Sequence, residues 1–189
     1  MYSEYSKNFN KIHIREELKN IRKKLTFKQR YSKSFLIQKY LLDWVNVIRE
    51  KSYKNKQPCL FKIACFWPTF YEPNLLPLFS KWALSKDFII LLPVITKYKE
   101  PLKFRKWKPK TLTKIGFYGI REPKAGSYLI PDILLVPTLG YTMQGDRLGY
   151  GGDIMIELFL ISRIKVLFLQ LSGSMGLWFF KKLSRIKSS

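Results

Sequence analysis

Residues 131–152 read PDILLVPTLGYTMQGDRLGYGG. Ile133, Leu134, Leu135 and Val136 form an unbroken apolar run closed by Pro137. That is the pattern of a strand buried on both faces, as in a parallel sheet covered by helices. The run empties into a segment carrying Gly140, Gly145, Gly149, Gly151 and Gly152. In open α/β sheets, ligands bind beyond the carboxyl ends of the strands. Glycines let backbone N–H groups approach a phosphate without interference from a Cβ. Arg147 adds a planar, permanently charged fork suited to phosphate oxygens. The segment therefore reads as an anion or nucleotide loop, although a glycine-rich turn held by one arginine accounts for the same residues. It matches neither a P-loop nor the dinucleotide fingerprint.

Upstream, the apolar period alternates between helix and strand. Ile14, Leu18, Ile21 and Leu25 are spaced four, three and four apart and predict a helix from residue 12. Glu16 and Glu17 lie early in it and Arg22, Lys23 and Lys24 late, which suits the helix dipole. A second helix is predicted over 31–49, with Phe35, Leu36, Tyr40, Leu41, Trp44, Val45 and Ile48 on its apolar face. Buried strands are predicted at 60–66 and 88–94, with a helix over 74–84 between them and a further strand at 102–107. The fold class is α/β: a mostly parallel sheet flanked by helices, Rossmann-like and three-layered, with an N-terminal helical pair. Residues 1–10 are polar and predicted to fray.

The chain has 189 residues, enough for one domain with a sizeable core, and its 47% hydrophobic and 16% aromatic content excludes a disordered chain. Its net charge of +22 fits a nucleic-acid surface, a lysine-rich composition or a polyanion site. The lysines follow no RNP, zinc-finger or zipper pattern, so composition plus an anionic ligand is favoured over nucleic acid. Cys59 and Cys65 lack metal-ligand spacing and read as reduced, buried and structural. His13 stands alone and reads as a surface residue. Residues 1–30 contain no apolar signal region, and Glu157, Arg163 and Lys165 break the apolar stretch 154–180. The expectation is a cytoplasmic monomer with no membrane and no nucleic-acid partner.

The quoted stretch resembles the signature D-hydrophobic-VPG-x-x-F-x-x-x-G-x-RLGYGGGYYDR of the 5-formyltetrahydrofolate cyclo-ligases. Asp132, Val136, Pro137, Gly145, Arg147, Leu148, Gly149, Tyr150, Gly151 and Gly152 fit it; Thr138 replaces a Gly and Tyr141 a Phe. Residues 11–15, KIHIR, resemble the family's K-x-x-L-R, and Gly119-Ile120-Arg121-Glu122-Pro123 matches its middle. The likeness spans 11–152. It implies conversion of 5-formyltetrahydrofolate, with or without a polyglutamate tail, to 5,10-methenyltetrahydrofolate, using ATP and Mg²⁺. It also implies phosphate contacts from Lys11, Arg15 and Arg147, the last of these catalytic. The backbone of Leu148, Gly149, Tyr150, Gly151 and Gly152 would form the cradle, and Trp67, Glu72 and Tyr150 would bind the folate.

After Gly152 the chain departs from the family. Where GYYDR is expected it has Asp153-Ile154-Met155-Ile156-Glu157-Leu158, so the family's Mg²⁺-holding Asp has no counterpart in register. The metal ligands are thus unassigned. GAT ATT ATG ATA GAA CTN encodes this hexapeptide, and one base earlier, with a leading G, the same letters read Gly-Tyr-Tyr-Asp-Arg-Thr. Residues 153–189 are therefore expected to be an out-of-frame tail, with genuine divergence as the alternative, leaving a sheet edge uncovered and activity low or absent. A non-catalytic protein that keeps the nucleotide or folate pocket is the competing class. A basic RNA-associated protein is a third.

Overall fold

The computed structural model describes residues 2–55, 60–69, 72–97, 100–141, 147–149, 165–169 and 180–181. Helix α1 spans Tyr2–Lys23. Its first turns lie where the polar composition predicts fraying; residues 1–24 contain neither Gly nor Pro, so nothing local stops the helix from propagating. Helix α2 spans Phe27–Lys54 and starts four residues before the predicted 31. A capping box sets that start. The Gln29 N–H donates to Thr26 Oγ1 at 3.3 Å, and the Thr26 N–H donates to Gln29 Oε1 at 2.8 Å. Arg30 then donates to the carbonyls of Leu25 and Arg22, both at 3.1 Å, satisfying acceptors at the end of α1.

The buried row of α2 is Ser34, Ile37, Leu41, Val45 and Ser52. Leu41 and Val45 fall where expected, with Trp44 and Ile48 packed at the side. Phe35, Leu36 and Tyr40 do not: Phe35 is 61% exposed. A hydropathy pattern rejects Ser34 from a core row, yet its Oγ accepts the Asn74 N–H at 3.1 Å. That bond lets the helix turn this face inward.

Strand β1 (Phe61–Ala64), helix α3 (Leu76–Leu84) and strand β2 (Phe88–Val94) form a parallel β-α-β unit with Phe61 opposite Phe88. β3 (Lys103–Lys106) runs antiparallel along β2. β4 (Thr113–Ile115) and β5 (Arg121–Pro123) pair as a separate hairpin. β6 (Ile133–Pro137) lies parallel to β1 on its other side. Asp132 fastens that junction: its N–H donates to Lys62 O, and its Oδ2 accepts the Lys62 N–H, both at 2.8 Å. β7 (Gly140–Tyr141) pairs antiparallel with β8 (Arg147–Leu148). β9 (Lys165–Leu169) runs parallel to β6, and β10 (Phe180–Lys181) antiparallel to β9. The six-stranded order is β10-β9-β6-β1-β2-β3, with four parallel strands at its centre.

The expected uncovered edge is corrected here. β9 covers β6 over Ile133–Pro137, because an extended KVLFL segment of high β-propensity satisfies an open edge whatever its origin. Both sheet faces are buried. Ile63, Cys65, Ile90, Leu92, Ile133 and Leu135 meet α2 and α3, and Ala64, Leu91, Leu134 and Val136 meet Leu102 and Phe104. This double burial is why the strands read as continuous apolar runs. α2 and α3 supply the helix layer on one face; a helix layer on the other is not among the described residues.

Candidate functional site

Because β6, β1 and β2 are adjacent and parallel, the segments leaving their carboxyl ends gather along one rim of the sheet. The β6 exit is the most tightly bonded. Thr138 is fully buried, and its N–H donates to Leu169 O at 2.9 Å. Its Oγ1 lies 2.8 Å from Gly140 O and 2.9 Å from Leu148 O. The Leu139 N–H also donates to Leu148 O, at 2.9 Å.

Helix α1 lies along this segment. Arg22 is 1% exposed. Its Nη2 donates to Thr138 O and, at 3.0 Å, to Leu139 O. Arg15 Nε donates to Gly149 O at 3.1 Å. Between them sits Leu18, whose Cδ1 would be 3.0 Å from a Cβ placed on Gly140. Spacings of three and four put Arg15, Leu18 and Arg22 on one helical face, spread over about 10 Å of axis. Gly140 is thus the residue that lets α1 approach closely. The same face carries Lys11 one turn earlier, exposed to solvent.

The β1 exit carries Trp67 and Glu72. Trp67 is half-buried, edge-on to Trp107 with ring centres 6.3 Å apart, and the Arg121 guanidinium lies 6.0 Å from its ring centre. The Glu72 carboxylate accepts the Thr69 N–H at 2.9 Å. Burial pushes its pKa above the ordinary carboxylate value, outweighing the opposing hydrogen bonds from Thr69 and the positive charge of Arg22. Arg22 is thus bonded to the β6 loop, and its charge is felt at Glu72. Its late position in α1 was assigned to the helix dipole. The signal that places it here is its offset of seven from Arg15, past Leu18, on one face.

At the β2 exit a cavity of about 510 Å³ is lined by Thr96, Arg105, Lys114, Phe117, Glu122 and Tyr128, among others. Glu122 is 4% exposed, with Lys114 Nζ 3.2 Å from Oε1 and the Ile95 N–H donating to Oε2 at 3.3 Å. Gly116 makes room for that carboxylate, since a Cβ there would meet Glu122 Oε2 at 2.5 Å. Glu122 belongs to the GIREP match, but nothing in the linear pattern indicates a cavity.

The structure thus brings Arg15, Leu148 and Gly149 together, with Arg22 on the adjoining Thr138 and Leu139 carbonyls. Trp67 stands beside Trp107 and Arg121. The Arg147 backbone lies in β8, opposite Tyr141. Tyr150, Gly151, Gly152 and residues 153–158 lie outside the described residues, as does Cys59. Cys65 is buried and free, and burial pushes its thiol pKa well up, which suits a structural residue. His13 is exposed. Among the described residues no helix is long and apolar enough to cross a membrane. Nor do three or more His, Cys, Asp or Glu gather into a metal-holding group among them.

Known proteins resemble the chain in sequence and in fold. The chain is 31% identical over 146 residues to a 5-formyltetrahydrofolate cyclo-ligase of Haemophilus influenzae, covering 74% of this chain and 72% of the relative. Its fold is similar to that of the Aquifex aeolicus 5,10-methenyltetrahydrofolate synthetase, with a TM-score of 0.66 and 22% identity over 94% of this chain and 84% of the other. The Mycoplasma pneumoniae 5,10-methenyltetrahydrofolate synthetase gives a TM-score of 0.56 and 16% identity over 80% and 77%. The model of the 5-formyltetrahydrofolate cyclo-ligase family matches residues 7–156, so the chain belongs to that family.

Proposed function

We propose that this chain binds ATP and 5-formyltetrahydrofolate along the rim where β6, β1 and β2 end, and that its reaction is the family's cyclisation to 5,10-methenyltetrahydrofolate. The observation that carries this is α1 seated on the glycine-rich segment, with Arg15 on the Gly149 carbonyl. The terminal phosphoryl group of ATP passes to the formyl oxygen. An O–P bond forms there as the bond to ADP breaks. The folate nitrogen at position 10 then attacks the formyl carbon and gives up its proton, the C–O bond breaks, and phosphate leaves with the oxygen and that proton. The protein positions the partners and spreads the phosphoryl charge. Lys11, Arg15 and Arg147 face the phosphates, and the backbone of residues 148–152 forms the cradle. Glu72 bonds the pterin, Trp67 lines its pocket and Tyr150 caps it. A polyglutamate tail suits the surplus of cations.

Mg²⁺ would neutralise phosphate charge, but the family's carboxylate is missing in register. We propose that residues 153–189 are read out of frame. The gene should then carry TAT TAT GAT one frame away across residues 153–158, and codons that do not yield it overturn the assignment. A binding protein without turnover is the second reading, favoured by the intact α1–Gly149 contact beside the absent Asp. Two assays separate the readings: calorimetric titration of ATP and of 5-formyltetrahydrofolate, and the ATP-dependent rise in methenyltetrahydrofolate absorbance. Binding of both with turnover supports the enzyme, binding without turnover supports the second reading, and binding of neither sinks both.

A further inference from the structure

We propose that Thr138 is a positioning residue for the nucleotide, its buried hydroxyl clasping the two ends of the β7–β8 hairpin so that the Gly149 amide is turned toward the phosphates. This rests on the ATP site proposed above. All three polar groups of Thr138 are engaged within the protein. The N–H reaches Leu169 O, the carbonyl accepts from Arg22, and the hydroxyl sits within 2.9 Å of carbonyls on both sides of the hairpin base. One hydroxyl hydrogen serves both acceptors in turn or shares itself between them.

The consequence lies one peptide further on. Leu148 O receives the Leu139 N–H at 2.9 Å and shares the Thr138 hydroxyl, also at 2.9 Å, which together hold it inward. A trans peptide is planar with its C=O and N–H opposed. No described peptide is cis. Fixing Leu148 O inward therefore aims the Gly149 N–H outward. Arg15 takes the Gly149 carbonyl, so the peptide oxygens before and after that residue are both held. In the signature that the segment resembles, a Gly stands where this chain has Thr138. A Gly has no hydroxyl, which would leave the hairpin base to backbone bonds alone.

The test uses the full chain with Thr138→Val, Thr138→Ser and Thr138→Gly. ATP affinity is measured by equilibrium dialysis, exchange of the Leu139 amide by NMR, and folding by thermal melting. Thr138→Val, which keeps the volume and loses the hydroxyl, is expected to weaken ATP about tenfold and to speed Leu139 exchange. Thr138→Ser restores both to within about twofold. Thr138→Gly behaves as the valine chain does, and carries the test should that chain not fold. ATP binding by both hydroxyl-free chains at wild-type affinity overturns the clasp and leaves the ATP site standing. A serine chain as weak as the valine chain also overturns it, since only shape would then matter. A folded wild-type chain that binds no ATP sinks the ATP site, and this role for Thr138 with it.

Discussion

Arg22 shows how one buried cation fastens a helix to a loop. A guanidinium at 1% exposure needs partners, and two main-chain carbonyls supply them. Replacing it with Met leaves the Thr138 and Leu139 carbonyls without that donor. Arg22→Met is therefore expected to lose about 2 kcal/mol or more, read as a lower urea midpoint. Glu72 is raised by burial, so its ionised form is disfavoured in the fold. The sign follows: its contribution is full below the unfolded-state pKa and lost as pH rises through the folded one. Glu72→Gln, which keeps an acceptor for the Thr69 N–H, should raise the melting temperature relative to wild type at about pH 7 and leave it unchanged at about pH 4. Of these residues, Glu72 and Arg15 were named by the motif as candidates. Arg22 was not, because a late cation in a basic helix satisfies the dipole rule equally well.

The strands were legible at the level of elements, because burial on both faces leaves an uninterrupted apolar run; the predicted 88–94 coincides with β2. Helix faces were less so. Phe35 and Tyr40 tilted the expected face of α2 toward solvent, while Ser34 took a buried place that only its bond to Asn74 justifies. The true start of α2 was written in Thr26 and Gln29, a spacing that caps a helix before any apolar period begins. Thr26→Ala should lower stability by about 1 kcal/mol, measured by thermal melting followed by circular dichroism, with the helix signal fraying first.

For the whole molecule, the sheet has its parallel strands inside and antiparallel strands at both edges. Loss of β9 would bare β6 over Ile133–Pro137 and remove Leu169 from the core. A chain ending at residue 164 is therefore expected to self-associate, seen as growing light scatter at micromolar concentration, while the full chain scatters less. The seat of α1 on the β6 loop resisted sequence analysis because its pieces are far apart along the chain. Arg15 and Gly149 are separated by 134 positions, and Arg22 and Thr138 by 116. That separation has a temporal side. During synthesis the first helix leaves the ribosome long before the segment it will rest on, so both guanidiniums wait without their carbonyls while most of the chain is made. That contact is among the last parts to form, and a ligand bound at the proposed ATP site would steady the finished protein without guiding its early folding.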